Sequence, residues 1–421
     1  MRILVDVRHL SDAHKTGVGE YTSELLRALF ASGTEDEYEL VSTGITQSLL
    51  PTLSVGSNDV GKRIVGGEVV DRPNYQRLAL VVGTHLRLPN KLLKLTTLAA
   101  GWPKLDRIEK TTPDLVWLPN LNFTAISPSV PYALTIHDLS WKIFPEFFSW
   151  KMRLWHALSQ PDRLVRNAAA IIVPSTATKE DVVRFFGKDA SKVHVIPHGI
   201  DRAFSPTFTA QDHGVRSRHK LPRRFVLFVG TLEPRKNVVA LIDAMDAYRR
   251  ETGDDLHLVL AGGWGWKSGA IREALKATGR KAEGTTPYRL RPSTLRSSWI
   301  HHLGYVPSAD RPALYRAATA FAWPSVYEGF GLPVLEAMAS GTPVITSHTS
   351  SLPELTNGAA ILVNPFRTEE IAMALRELMS SEALRERLRR KGLERAREFS
   401  WEKAAQRTRE VFRSATDDRD A

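Results

Sequence analysis

Short apolar runs, each closed by glycine, proline or polar residues, recur at 1–7, 116–120, 131–139, 171–175, 193–200, 224–230, 256–261, 320–323 and 344–346. Their length and punctuation predict buried strands. Leu25, Leu26 and Leu29 mark the apolar face of a helix over 21–30, and 238–248 predicts another. Ser400 is placed to cap a helix over 401–412, while the Arg- and Glu-rich stretch 375–399 reads as a solvated helical face with i,i+4 pairs. Strand, loop, helix and strand in succession over 320–346 predict an α/β chain whose loops open at the carboxyl edge of a parallel sheet, the edge where such folds bind ligands.

Composition then sets bounds. At 421 residues the chain has room for two or three domains, each with its own core. The Pro-, Ser- and Thr-rich stretch 201–222 predicts the hinge, giving domains at 1–205 and 206–399 and a C-terminal helix and tail at 400–421 that crosses back. Cysteine is absent, which excludes disulfides, thiol nucleophiles and cysteine zinc sites. With no leader before the first strand and no apolar run near the roughly eighteen residues of a membrane span, the expectation is a cytoplasmic, soluble or peripheral protein. Net charge is +11, and the segment 72–104 interleaves Arg77, Arg87, Lys91 and Lys94 with leucines and carries no carboxylate after Asp71. Such a face suits an anionic membrane surface, or equally a helix docking its leucines and solvating its lysines. No nucleic-acid motif accompanies the charge.

The candidate chemistry centres on an E-x7-E turn, where Glu328 and Glu336 flank Gly329, Phe330, Gly331 and Leu332 between a strand and a helix. Pro333 suits the first helical position, and Gly341 with Pro343 ends the helix. Amides opening that helix suit a diphosphate, and a carboxylate accepting hydroxyl protons contributes roughly 1.5–3 kcal/mol per bond. An ordinary corner with two solvated glutamates is the plain alternative. Upstream, Gly230 ends a strand and Arg235 and Lys236 follow in the next turn, two cations at a helix start, where they are unfavourable unless an anion is present. Gly17 and Gly19 precede the first amphipathic helix, His137 ends a strand, and Asn120 and Asn122 follow another. Each of these also has a purely structural reading, as turn glycine, hydrogen-bonded histidine or turn asparagine. No acidic cluster suggests a metal, since Asp417, Asp418 and Asp420 fall in the tail.

The run Pro324-Ser-Val-Tyr-Glu-Gly-Phe-Gly-Leu-Pro-Val-Leu-Glu-Ala-Met-Ala-Ser-Gly-Thr-Pro343 resembles the signature of the family 4 retaining glycosyltransferases. The resemblance implies a GT-B fold, two Rossmann-like parallel-sheet domains separated by a deep cleft. It further implies that Glu328 contacts the donor sugar, Glu336 the donor ribose and Arg235 with Lys236 the diphosphate. The glycine loop of Gly17 and Gly19 would lie over the phosphate, with His137 near the sugar and Asn120 and Asn122 on the acceptor side. His137-Asp-Leu-Ser followed by Phe144-Pro-Glu is most similar to a bacterial mannosyltransferase subgroup. The expected activity is transfer of a hexose, mannose from GDP-mannose first, to a surface or lipid-linked glycan, without metal or other cofactor. The stretch 266–300 is longer and more basic than the family pattern. A UDP-sugar transferase, a glycoside hydrolase using both glutamates, a nucleotide-sugar epimerase and a non-catalytic binding module stay open at this point.

Overall fold

A computed structural model describes residues 1–11, 17–33, 36–43, 80–86, 94, 96–98, 100–108, 111–277 and 299–417. Most of the basic 72–104 segment, the greater part of the 266–300 insertion and the acidic tail residues Asp418 and Asp420 lie outside these. The chain divides into two compact units, one of Met1–Leu139, Lys151–Gly199 and Ser400–Ala421, the other of Ser140–Trp150 and Ile200–Phe399. The division therefore falls at Gly199 rather than at 205, and a short early segment joins the second unit.

The first unit is built on a parallel sheet of β1 (Arg2–Asp6), β2 (Glu37–Thr43), β3 (Leu80–Leu86), β4 (Leu115–Leu118), β5 (Tyr132–Thr135), β6 (Ala170–Val173) and β7 (Val193–Val195) in the order β3-β2-β1-β4-β5-β6-β7. The helix Gly17–Ala31 buries Tyr21, Leu25, Leu26 and Leu29. The C-terminal helix, Trp401–Asp417, packs in the same core, with Phe412 5.5 Å from the Trp117 ring, and Ser400 caps it by accepting from the Lys403 amide.

The second unit carries β8 (Phe225–Val229), β9 (His257–Ala261), β10 (Ile300–Gly304), β11 (Ala320–Trp323), β12 (Val344–Ser347) and β13 (Ala360–Val363) in the order β10-β9-β8-β11-β12-β13, all parallel. Central strands of such sheets are covered on both faces, and every residue of β8, β11 and β12 is buried. That is why β8 and β11 read as unbroken apolar runs.

Three local expectations change. The stretch read as a linker holds the helix Ala210–Arg218, anchored in the second unit by buried Val215 and by Arg316, whose Nε meets the Asp212 carboxylate at 2.6 Å. The stretch 375–399 is not one solvated face but parts of two helices, Thr368–Ser380 and Glu382–Ala396, which bury Leu375, Leu378, Leu384 and Leu388. Its ion pairs Glu386–Arg389 and Arg395–Glu398 are spaced i,i+3. Gly17 and Gly19 lie inside the first turn of their helix rather than in a loop before it. Among the described residues no helix is long and apolar enough to cross a membrane.

Candidate active site

In the second sheet, connections run from β8 towards β9 and β10 on one side, and from β11 towards β12 and β13 on the other. The loops leaving β8 and β11 therefore diverge, which opens a crevice at their carboxyl ends. The β8 loop brings Glu233, Arg235 and Lys236, and the β11 loop brings Glu328. Gly230 is required where β8 ends, because a Cβ there would stand 2.6 Å from the Trp323 ring. Gly331 begins the helix Leu332–Ala339 at φ 107°, with Pro333 at its second position rather than its first.

These residues meet. The Glu328 carboxylate accepts from Lys236 Nζ at 2.5 Å, Arg235 Nη1 at 3.1 Å and the Trp323 indole N–H at 3.1 Å. Arg235 also donates to the Tyr327 carbonyl at 2.7 Å and to Glu233 at 3.0 Å, and Lys236 lies 4.7 Å above the Trp323 ring. The Glu328 amide donates to Ser350 Oγ, and Ser351 Oγ donates to the Glu328 and Phe330 carbonyls. Burial pushes the Glu328 carboxyl up, but the charges of Lys236 and Arg235 and the hydrogen bonds from Lys236 and Ser325 outweigh it and hold its pKa at about 2. Lys236 moves the other way from a simple paired lysine. Burial, then Arg235, lower its pKa against the pull of Glu328 and Glu233. The ionised state of Glu328 is the firmer of the two, since two cations converge on it. It is therefore a charged acceptor rather than a proton donor.

Glu336 stands apart from this cluster. It is buried on the Leu332–Ala339 helix, where Oε2 accepts from the Tyr315 hydroxyl at 2.7 Å and Oε1 faces Arg311 at 3.4 Å. The Phe330 ring packs on Phe399 in the core, so of this residue only the backbone can meet a ligand. Gly329 is buried, and Leu332 is half-buried against the same core.

His137, Gly17, Gly19, Asn120 and Asn122 all belong to the first unit. His137 Nε2 lies 2.8 Å from the Pro119 carbonyl, which can only accept, so the proton sits there and Nδ1 carries the lone pair. Burial lowers the His137 pKa to about 4 against the Pro119 bond and Asp138, and the Tyr21 ring meets the imidazole edge-on at 4.8 Å. Asn122 Oδ1 accepts from the next amide, Phe123, in the manner of a turn-forming asparagine, and Asn120 is half-buried at the end of β4. Beside them, at the end of β1, Arg8 grips Asp6 with two bonds of 2.7 Å and donates to the Phe123 carbonyl at 3.0 Å, which ties these loops together. Trp323, Tyr315, Arg311 and Arg8 belong to no motif. Only Glu233, inside the turn of Arg235 and Lys236, was within reach of the sequence pattern.

Residues 16–204 match the family model "Glycosyltransferase Family 4" and residues 212–395 the model "Glycosyl transferases group 1". The O-antigen chain mannosyltransferase B of Escherichia coli is 31% identical over 280 residues, which cover 66% of this chain and 69% of that protein. The serotype-specific mannosyltransferase WbdA of Escherichia coli is 25% identical over 98% of this chain, which spans 48% of WbdA. The sucrose-phosphate synthase of Thermosynechococcus elongatus superposes with a TM-score of 0.66 at 22% identity, covering 98% of both chains. Anabaena Alr3699/HepE, in complex with UDP and glucose, superposes at 0.67 and 18%, covering 98% of this chain and 100% of that one. These two structures share the fold. The two Rossmann-like units, the acidic turn and the matches to both halves agree, and the chain belongs to the family 4 glycosyltransferases of GT-B fold.

Proposed function

We propose that the chain is a retaining, metal-independent hexosyltransferase that moves mannose from GDP-mannose onto a bacterial surface polysaccharide or lipid-linked glycan. The observation that carries this reading is the convergence of Arg235 and Lys236 on Glu328 at the switch point of the second sheet. The names of the two Escherichia coli relatives support mannose and a glycan acceptor.

The cluster of Arg235, Lys236, Glu233 and Glu328 holds two cations against two carboxylates, so it is balanced before any donor arrives. A diphosphate would draw the two cations onto itself and free Glu328 to accept hydroxyls of the sugar. As the bond from the anomeric carbon to the diphosphate breaks, Arg235, Lys236 and the amides opening the Leu332–Ala339 helix stabilise the charge left on phosphate. The acceptor hydroxyl bonds to that carbon on the same face, and its proton passes to the departing phosphate oxygen. Two cations supply the positive charge otherwise brought by a metal. Glu336, aimed by Tyr315 and Arg311, takes the ribose, while Gly17, Gly19 and His137 serve the donor and Asn120 and Asn122 the acceptor. The basic 72–104 segment would hold the enzyme on the anionic inner face of the cell membrane.

The test is a thermal-shift panel of GDP-mannose, UDP-glucose, UDP-N-acetylglucosamine and GDP-fucose on wild type, Glu336→Ala and Arg235→Ala. GDP-mannose should raise the melting temperature by several degrees at saturation, and both variants should lose most of that shift. A UDP sugar giving the larger shift would replace the donor. Equal shifts in wild type and variants would show that the pocket is elsewhere.

A further inference from the structure

The segment Ser140–Trp150 follows β5 in sequence yet belongs to the second unit. Within that unit it bears on both loops of the candidate site. At one end the Trp266 indole N–H donates to the Phe147 carbonyl at 2.8 Å, Lys267 Nζ donates to the Glu146 carbonyl at 2.6 Å, and the Phe148 and Trp266 rings stack at 5.8 Å. At the other the Phe144 ring, stacked on Phe147 at 5.4 Å, lies 5.9 Å from the Tyr327 ring.

Both ends lead to the same cluster. The Tyr327 carbonyl accepts from Arg235 Nη1, and Glu328 is the next residue. Trp266 continues the loop after β9, which is bound to the turn of Arg235 through Leu232 N–H to the Gly263 carbonyl at 2.9 Å and Gly265 N–H to the Leu232 carbonyl at 3.0 Å. Lys267 is held at φ 50°, a left-handed conformation that lysine rarely adopts, while its side chain reaches Glu146. Phe148 is buried, and Phe144 and Phe147 are half-buried, so the segment is packed rather than laid on the surface.

We propose that Ser140–Trp150 is a strap that positions the donor site: Phe144 against Tyr327, and Trp266 bonded to Phe147, fix the backbone from which Arg235 and Glu328 are aimed at a nucleoside diphosphate sugar. This rests on the function proposed above and adds residues that act without touching the donor. With the aim set before binding, donor affinity depends on the strap as well as stability does.

The full chain is titrated with GDP-mannose, and with UDP-glucose as second probe, by calorimetry at a temperature where all variants are folded. The variants are Phe144→Ala, Phe144→Leu and Trp266→Phe, the last keeping an aromatic, though smaller, ring and removing the N–H that bonds Phe147. Amide exchange is followed without ligand at Val326, whose N–H donates to the Arg235 carbonyl at 2.9 Å, and at Glu328, whose N–H donates to Ser350. The expected result is roughly tenfold weaker donor binding for Phe144→Ala, a smaller loss for Phe144→Leu and Trp266→Phe, and faster exchange at both amides in all three. Unchanged affinity and exchange in Phe144→Leu and Trp266→Phe would overturn the strap, even if melting temperatures fell or Phe144→Ala failed to fold. A wild type that binds neither sugar nucleotide would sink the donor assignment, and the exchange rates would still decide for or against the strap.

Discussion

Glu328→Gln isolates one charge at the centre of the site. The amide keeps the shape, but Lys236, only 9% exposed and 2.5 Å from Glu328, loses its charged partner, while Arg235 keeps Glu233. Breaking a buried ion pair from one side costs about 3–5 kcal/mol, and the amide oxygen still accepting from Lys236 or Trp323 returns about 1 kcal/mol. The variant should therefore be about 2–4 kcal/mol less stable at pH 7, lowering the second unit's transition by about 5–10 °C. The deficit should shrink in acid. The folded pKa of Glu328, about 2, lies below its unfolded value of 4.5, so its contribution is full above about pH 5 and is lost as pH falls towards 2. That shift corresponds to about 3 kcal/mol, of which about 2 kcal/mol is gone at pH 3. Urea unfolding of wild type and variant at pH 7 and pH 3 measures the gap directly. A variant as stable as wild type at pH 7, or a gap that stays constant down to pH 3, would refute the reasoning.

Two further outcomes follow from the geometry. Gly230→Ala drives a Cβ to 2.6 Å from the Trp323 ring, which is fully buried, so urea unfolding should show a loss of about 1–3 kcal/mol, and unchanged stability would contradict this packing. With a pKa of about 4, His137 stays neutral across the working range, so the ratio of wild-type to His137→Gln transfer rates should be flat from about pH 5.5 to 8. A ratio that bends near pH 6.5 would show an ordinary, solvated histidine instead.

The strands that surround the site were legible because they are covered on both faces and hence continuously apolar. The run 320–323 coincides with β11, and 224–230 contains β8. The edge strand β13 is likewise an unbroken apolar run, Ala360-Ile-Leu-Val363 between Gly358 and Asn364, which the reading of the sequence passed over, although three of its four residues retain exposure. The helix Ala210–Arg218 hid in a stretch rich in turn formers, because what holds it is tertiary: Val215 in the core and Asp212 on Arg316. Phe330 sat in the middle of a ligand-binding motif, yet its ring belongs to the core, since a pattern of residue types does not say which way a side chain turns.

The sequence by itself determined the local units of this protein: apolar strands ending in polar turns, glycines where the chain must pass close to other groups, a carboxylate on each side of a helix start, and two cations in a separate turn. Only the tertiary structure decided that the cations hold Glu328, that Glu336 instead faces Tyr315 and Arg311, and that Ser140–Trp150 serves the second unit. The physical reason is strand order. Arg235 and Glu328 are 93 residues apart and become neighbours because β8 and β11 pair at the centre of the sheet, a choice made by packing the whole core and not by any local stretch of chain.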